Sequence, residues 1–288
     1  MEAIFDAIYR LIDYILPFEW ARYMFMKRAL LAIILIAPMC AAMGVPATSF
    51  RMIFFSSAIS HSVFAGVALG ILIGIDPRVS MVLFGILIGL GIINVRRRSE
   101  LAYDTVIGVF FAFTVALGIV IISTRPGVMR TLDVIIYGDI LTISNPEILL
   151  FFMLFVATFA FLGYSYNRLM LKGINDRLAS AHGVRTKYYD YAFAALLAIV
   201  ITASIRAVGL LLVTAMLVVP AGAGRNLARS ARQQFWFSML TGTFSGVAGL
   251  IVSSYWNTAT GATIILFSGI IFMLTQYLPL AVRKLFRT

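Results

Sequence analysis

Residues 205 to 224, IRAVGLLLVTAMLVVPAGAG, run for twenty positions with one charge, Arg206, and no polar loop. A hydrocarbon core about 30 Å thick needs roughly 20 apolar residues of helix to cross it. The division of this stretch therefore decides the architecture. Broken between 207 and 209, it ends one span and forms the next, and the chain has nine; counted as one, it leaves eight. Outward from it, apolar runs recur at 28–47, 52–74, 79–95, 102–123, 146–168, 190–207, 209–224, 234–254 and 262–282. Backbone polar groups in lipid must be satisfied within the segment, so these runs predict an all-α polytopic membrane protein with eight to nine transmembrane helices.

Composition agrees. The 288 residues are 61% apolar and 12% charged, with mean hydropathy +0.99, whereas soluble domains sit near half apolar and about 25% charged. No soluble domain fits between the spans. Cys40 is the one cysteine and lies in an apolar run, which rules out an internal disulfide and reads as a structural thiol. The net charge of +11 comes from basic residues scattered at span ends, not from one stripe. That pattern is a topological signal and gives no nucleic-acid surface. Within 1–27, Ile4, Phe5, Ile8, Leu11, Ile12 and Ile15 fall at helical spacing with Glu2, Asp6, Arg10 and Asp13 between them. This segment reads as an amphipathic helix lying in the interface, ahead of a transmembrane domain at 28–288. It has no basic leader with a small-residue cleavage site, so no cleaved signal peptide is expected.

Loops at Arg51, at 96–98, from Arg168 to Lys187, from Arg225 to Arg232 and from Arg283 onward hold 15 of the 23 basic residues, on one side if nine spans are threaded in turn. Basic loops stay on the cytoplasmic side, which places the C-terminus inside and the N-terminus outside; Lys27 and Arg28 run against that placement. The longest basic-side loop, LMLKGINDRLASAHGVRTKYY at 169–189, has helix formers from Asp176 to Ala181 and a stop at Gly183. The residues fit either a short helix parallel to the membrane or a plain solvated connection. On the other side, 124–145 contains an apolar middle, Val134 to Tyr137, too short to span and suited to a re-entrant segment.

Chemistry is sparse. SSAISHSVFAGVALG, residues 56–70, sets His61 among small residues, with Ser57 one helical turn before it and Ser60 and Ser62 beside it. Gly66 and Gly70 let another backbone approach. An intramembrane histidine reads either as a metal ligand or proton acceptor on a translocation path, or as a ring tied by hydrogen bonds to a neighbouring helix. Asp139 suits a cation contact near an entrance or a loop cap; Asp76 suits a turn; Glu100 and Asp104 suit pairing with the arginines at 96–98; His182 suits a solvated loop. There is no G-x-x-x-x-G-K-[ST] loop, none of the four lysines follows a glycine, no H-E-x-x-H occurs, and two histidines cannot make a three-histidine zinc site. The chain is therefore expected to be no enzyme, with any energy supplied by a separate subunit.

SSAISHSVFAGVALG is similar to a G-D-x-x-x-H-x-x-x-x-G-[VIA]-A segment, residues 205–225 to R-x-V-G-x-L-[LI]-[VI]-[TS]-[AS]-[ML]-[LM]-[VI]-[VI]-P-A-A-x-A-R, and NDRLASAHGVR (175–185) to a cytoplasmic D-x-x-x-A-x-x-x-G-V loop. YGDIL (137–141) matches a smaller block. From about 28 to 282 the chain thus resembles the permease subunit of bacterial manganese, zinc and iron ABC importers, the ABC-3 family. The resemblance implies a multi-pass protein of the bacterial cytoplasmic membrane that pairs with a second permease copy or a paralogue. It also implies a cytoplasmic ABC ATPase dimer and an extracytoplasmic solute-binding protein as partners. The divalent ion is then cargo, ATP is bound on the partner subunit, and this chain holds no cofactor.

The loop at about 174–187 resembles the coupling helix that docks into the ATPase. Ala179, Gly183 and Val184 match, Asn175 stands at the family's acid, and Asp176 lies beside it. The metal path would pass His61 and Ser57, with Asp139 and Asn257 toward the outside. Two positions depart from the pattern. Ser57 replaces an aspartate four residues before the histidine, and WNTATG (256–261) offers Asn257 and Ala259 in place of Y-D-x-P-x-G. Loss of these acids leaves a metal-chelate or other small-solute permease as the alternative. A secondary carrier would need intramembrane charges that the spans lack.

Overall fold

The computed structural model describes residues 2–15, 19–124 and 138–285. Their helices are α1 (Glu2–Ile15), α2 (Met24–Ser49), α3 (Ile53–Ile73), α4 (Pro77–Arg98), α5 (Tyr103–Ser123), α6 (Asn145–Ile174), α7 (Asp176–Ala181), α8 (Thr186–Val208), α9 (Leu210–Leu227), α10 (Ala231–Trp256) and α11 (Thr260–Leu285). Among the described residues nine are long and apolar enough to cross a membrane: all but α1 and α7. The apolar segment 134–137 lies outside the described residues.

One residue divides 205–224. Gly209 adopts φ 83°, ψ 159°, a backbone conformation that a Cβ would obstruct. Its N–H donates to the Ile205 carbonyl at 2.7 Å, ending α8, and α9 starts at the next residue. The chain turns back there without a polar loop.

Helices in lipid gain little from burial against one another, so close packing by small residues holds them. A Cβ on Gly44 of α2 would stand 1.9 Å from the Leu217 carbonyl oxygen of α9, and one on Gly66 of α3 would stand 2.9 Å from Met81 Cα of α4. The Ser80 hydroxyl donates to the Gly66 carbonyl at 2.6 Å across that contact. In α2, 83% of the most apolar stretch is buried, against 22% in α5 and 28% in α6. Thus α2 is the central post, packed on α6, α9 and α10, while α3 packs on α4, α5 and α8.

Local signals set the ends. Asp76 caps α4 by accepting from the Arg78 N–H at 2.8 Å, with Pro77 at the first position. Ser144 and Glu147 form a capping box on α6. At the end opposite the basic loops, named the outer end from the charge pattern, Tyr9 of α1 donates to Asn145 at 2.6 Å, and Lys27 pairs with Asp13 at 2.6 Å. That pairing ties α1 to the start of α2.

Two local expectations differ from the structure. Helix α6 continues to Ile174, so the basic-side loop begins at Asn175 and not at 169. The added turn keeps Lys172 buried because a carboxylate meets it. The arginines do not pair with Glu100 and Asp104: Arg97 pairs with Asp190, and Arg96 lies over the Tyr103 ring, 4.8 Å from its centroid.

Candidate functional site

His61 projects from the half-exposed face of α3, one turn beyond Ser57. Its Nδ1 lies 2.8 Å from the Ser57 carbonyl oxygen. A carbonyl only accepts, so Nδ1 carries the hydrogen, and in the neutral ring Nε2 is the nitrogen with the lone pair. The ring is held edge-on by Phe111 of α5 at 4.9 Å and Phe64 at 6.0 Å between centroids. Its own helix thus fixes the tautomer that leaves Nε2 free to bind a cation. Of the flanking hydroxyls, Ser62 donates to the Ile59 carbonyl at 2.7 Å and Ser60 is fully enclosed. Ser57, on the same half-exposed face as the imidazole, remains beside it. Among the described residues no three His, Cys, Asp or Glu side chains converge on one point.

A cavity of about 410 Å³ opens at the outer end. It is bounded by Asp139 on one side, by Val208, Leu211 and Leu212 around the Gly209 break, and by the α10–α11 turn from Thr258 to Ala262. Asp139 is exposed and accepts from the Leu141 N–H at 3.1 Å, which caps the short 3-10 helix Ile140–Thr142. Gly138 supports it with φ 63°; a Cβ there would fall 2.1 Å from the Gly209 nitrogen. Asn257 precedes the lining run and ends α10 in the left-handed region, φ 49°, which asparagine tolerates better than most residues. Asp139 and the turn after Asn257 therefore share one mouth, while Ser57 and His61 lie on α3, apart from it.

At the basic end α7 forms a self-contained unit of six residues. The Asn175 side chain accepts from the Arg177 and Leu178 N–H groups at 2.9 and 3.1 Å, and Ala179 alone is buried. Gly183 follows with φ 76°, and the Val184 N–H returns to the Ala179 carbonyl at 3.1 Å. Asp176 is exposed. Of the five positions read from the sequence, Asp176 and Ala179 lie in this short helix, Asn175 caps it, and Gly183 and Val184 follow it.

Reading the sequence missed Asp190. It is 3% exposed, at the fifth residue of α8, and its two carboxylate oxygens meet Lys172 of α6 and Arg97 of α4. The available signal was an acid near the start of an apolar span, YYDYAF, facing an excess of basic residues.

The model of the ABC 3 transport family matches residues 22–278. The chain is 26% identical over 249 residues to the high-affinity zinc uptake system membrane protein ZnuB of Haemophilus influenzae, covering 86% of this chain and 95% of that protein. It is 29% identical to the manganese import system permease protein ScaB of Streptococcus gordonii, covering 88% and 91%. In three dimensions it superposes on PsaBC from Streptococcus pneumoniae, solved in complex with Fab, with a TM-score of 0.76, 27% identity, and coverage of 88% and 91%. With nine apolar helices it is a multi-pass protein of the bacterial inner membrane, and the chain belongs to the ABC 3 transport family.

Proposed function

We propose that this permease moves a divalent transition metal ion inward, driven by ATP hydrolysis on a separate subunit, along a path that passes His61. The observation that carries the reading is the free Nε2 of His61 on a half-exposed face, with its tautomer fixed by the Ser57 carbonyl. A neutral imidazole nitrogen is a good ligand for manganese, iron or zinc and is too weak alone to hold the ion. Because that face is a surface of the single chain, the passage forms when a second permease covers it, bringing its own ligands opposite. The named relatives act on zinc and manganese, which supports an ion over a chelate.

The ion enters from a solute-binding protein at the outer mouth. Asp139 supplies the negative charge there, and Asn257 shapes the adjoining turn. At the other end α7, with Asn175 and Asp176 at its start and Gly183 and Val184 after it, sits in a cleft of the ATPase. Closure of the ATPase pair then rocks the permease halves. The assembled complex should hydrolyse ATP faster when its binding protein is loaded with manganese, zinc or iron, offered in turn. No stimulation by any of the three would remove the metal reading.

A further inference from the structure

We propose that Asp190 is a positioning residue that makes α7 and the His61-bearing helix move as one body; this rests on the reading of α7 as the ATPase contact. Lys172 lies in the last turn of α6, just before α7, and Asp190 is the fifth residue of α8, the helix that follows α7. Their ion pair closes the 18-residue excursion that contains α7. The second carboxylate oxygen takes Arg97 from the end of α4, 93 positions away. Lys172 also stands 4.2 Å above the Phe50 ring at the end of α2, and Phe50 meets Phe193 of α8 edge-on at 5.4 Å. A second brace, Arg168 donating to the Tyr189 hydroxyl at 2.5 Å, joins α6 to α8.

From Arg97 the connection continues through rigid contacts. Helix α4 meets α3 at the Gly66 contact, where Ser80 holds the Gly66 carbonyl, and His61 lies little more than one turn from Gly66. One route from α7 to the imidazole thus runs through a buried carboxylate shared by two cations and through the close packing of α4 on α3, at Gly66 and at Gly89 against Phe55. Both are close contacts between packed helices, through which displacement of one element is passed to the next. Without the carboxylate, Lys172 and Arg97 repel, and α7 follows the ATPase while α4 stays behind.

The test reconstitutes the full permease with its ATPase and binding protein in liposomes and reads ions moved per ATP hydrolysed, using whichever of manganese(II), zinc(II) or iron(II) the unaltered complex moves. Asp190→Asn should keep hydrolysis within about threefold while lowering the ratio about tenfold, and Asp190→Glu should restore most of it. An unchanged ratio, with uptake and hydrolysis falling together, would make Asp190 merely structural and overturn the proposal. If Asp190→Asn does not assemble, Arg97→Gln keeps the Lys172 pair and releases only α4; a lowered ratio there sustains the proposal and an unchanged one overturns it. An unaltered complex that couples none of the three ions to hydrolysis sinks the transport reading itself, and this proposal with it.

Discussion

The two ends of the bundle are held by different physics. At the basic end one carboxylate, 3% exposed, joins α4, α6 and α8 through two cations. At the outer end the ion pair Glu147–Arg206, at 3.1 Å, has side chains 25% and 40% exposed, and closure depends on Gly138 lying against Gly209. A buried charge network resists partial opening, because each loosened partner is left charged in a poor solvent. A glycine contact beside an open cavity separates at little electrostatic cost. The contrast fits a protein that receives work at one end and admits solute at the other.

The largest effect should come from Asp190→Ala, which leaves the buried Lys172 and the half-buried Arg97 unmatched and should cost about 3 kcal/mol, read as a lower melting temperature in detergent. Gly138→Ala should cost about 1–3 kcal/mol through the clash with the Gly209 backbone, and a normal melting temperature would show that the outer end is less tightly closed than described. Ser57→Asp places a carboxylate one turn from His61 and should tighten manganese(II) retention about tenfold, or 1.4 kcal/mol; no change would mean that residue 57 faces away from the ion. Glu147→Ala should cost about 1 kcal/mol, since it removes a partly exposed ion pair with Arg206 and its share of the capping box with Ser144. Smallest of all, Asn257→Gly preserves the left-handed turn and should shift stability by less than about 0.5 kcal/mol. Uptake that collapses in that variant would assign Asn257 a direct contact with the ion.

The spans were legible in the sequence because lipid imposes a length and a composition on each helix, and the structure's nine follow the apolar runs closely. Gly183 was legible as a helix stop and Asp76 as a turn acid, while the break between 207 and 209 was drawn without singling out Gly209. What escaped was helix-to-helix register. Arg97 had two acids close by in sequence, Glu100 and Asp104, yet its partner lies 93 residues away, and no local pattern encodes which faces of α4 and α8 meet. The same limit hid the state of His61: the sequence placed Ser57 one turn away, but only the folded helix shows that its carbonyl, not its hydroxyl, engages the ring. Nor did any local pattern give the pairing of Lys27 with Asp13, 14 residues back.

The most direct measurement is uptake of radioactive manganese(II) or zinc(II) by membranes carrying His61→Ala beside the unaltered permease at equal assembled amounts. Loss of the one free imidazole nitrogen on α3 should lower uptake about tenfold or more while assembly and basal ATP hydrolysis persist. Uptake equal to that of the unaltered protein would place the ion route elsewhere and contradict the account.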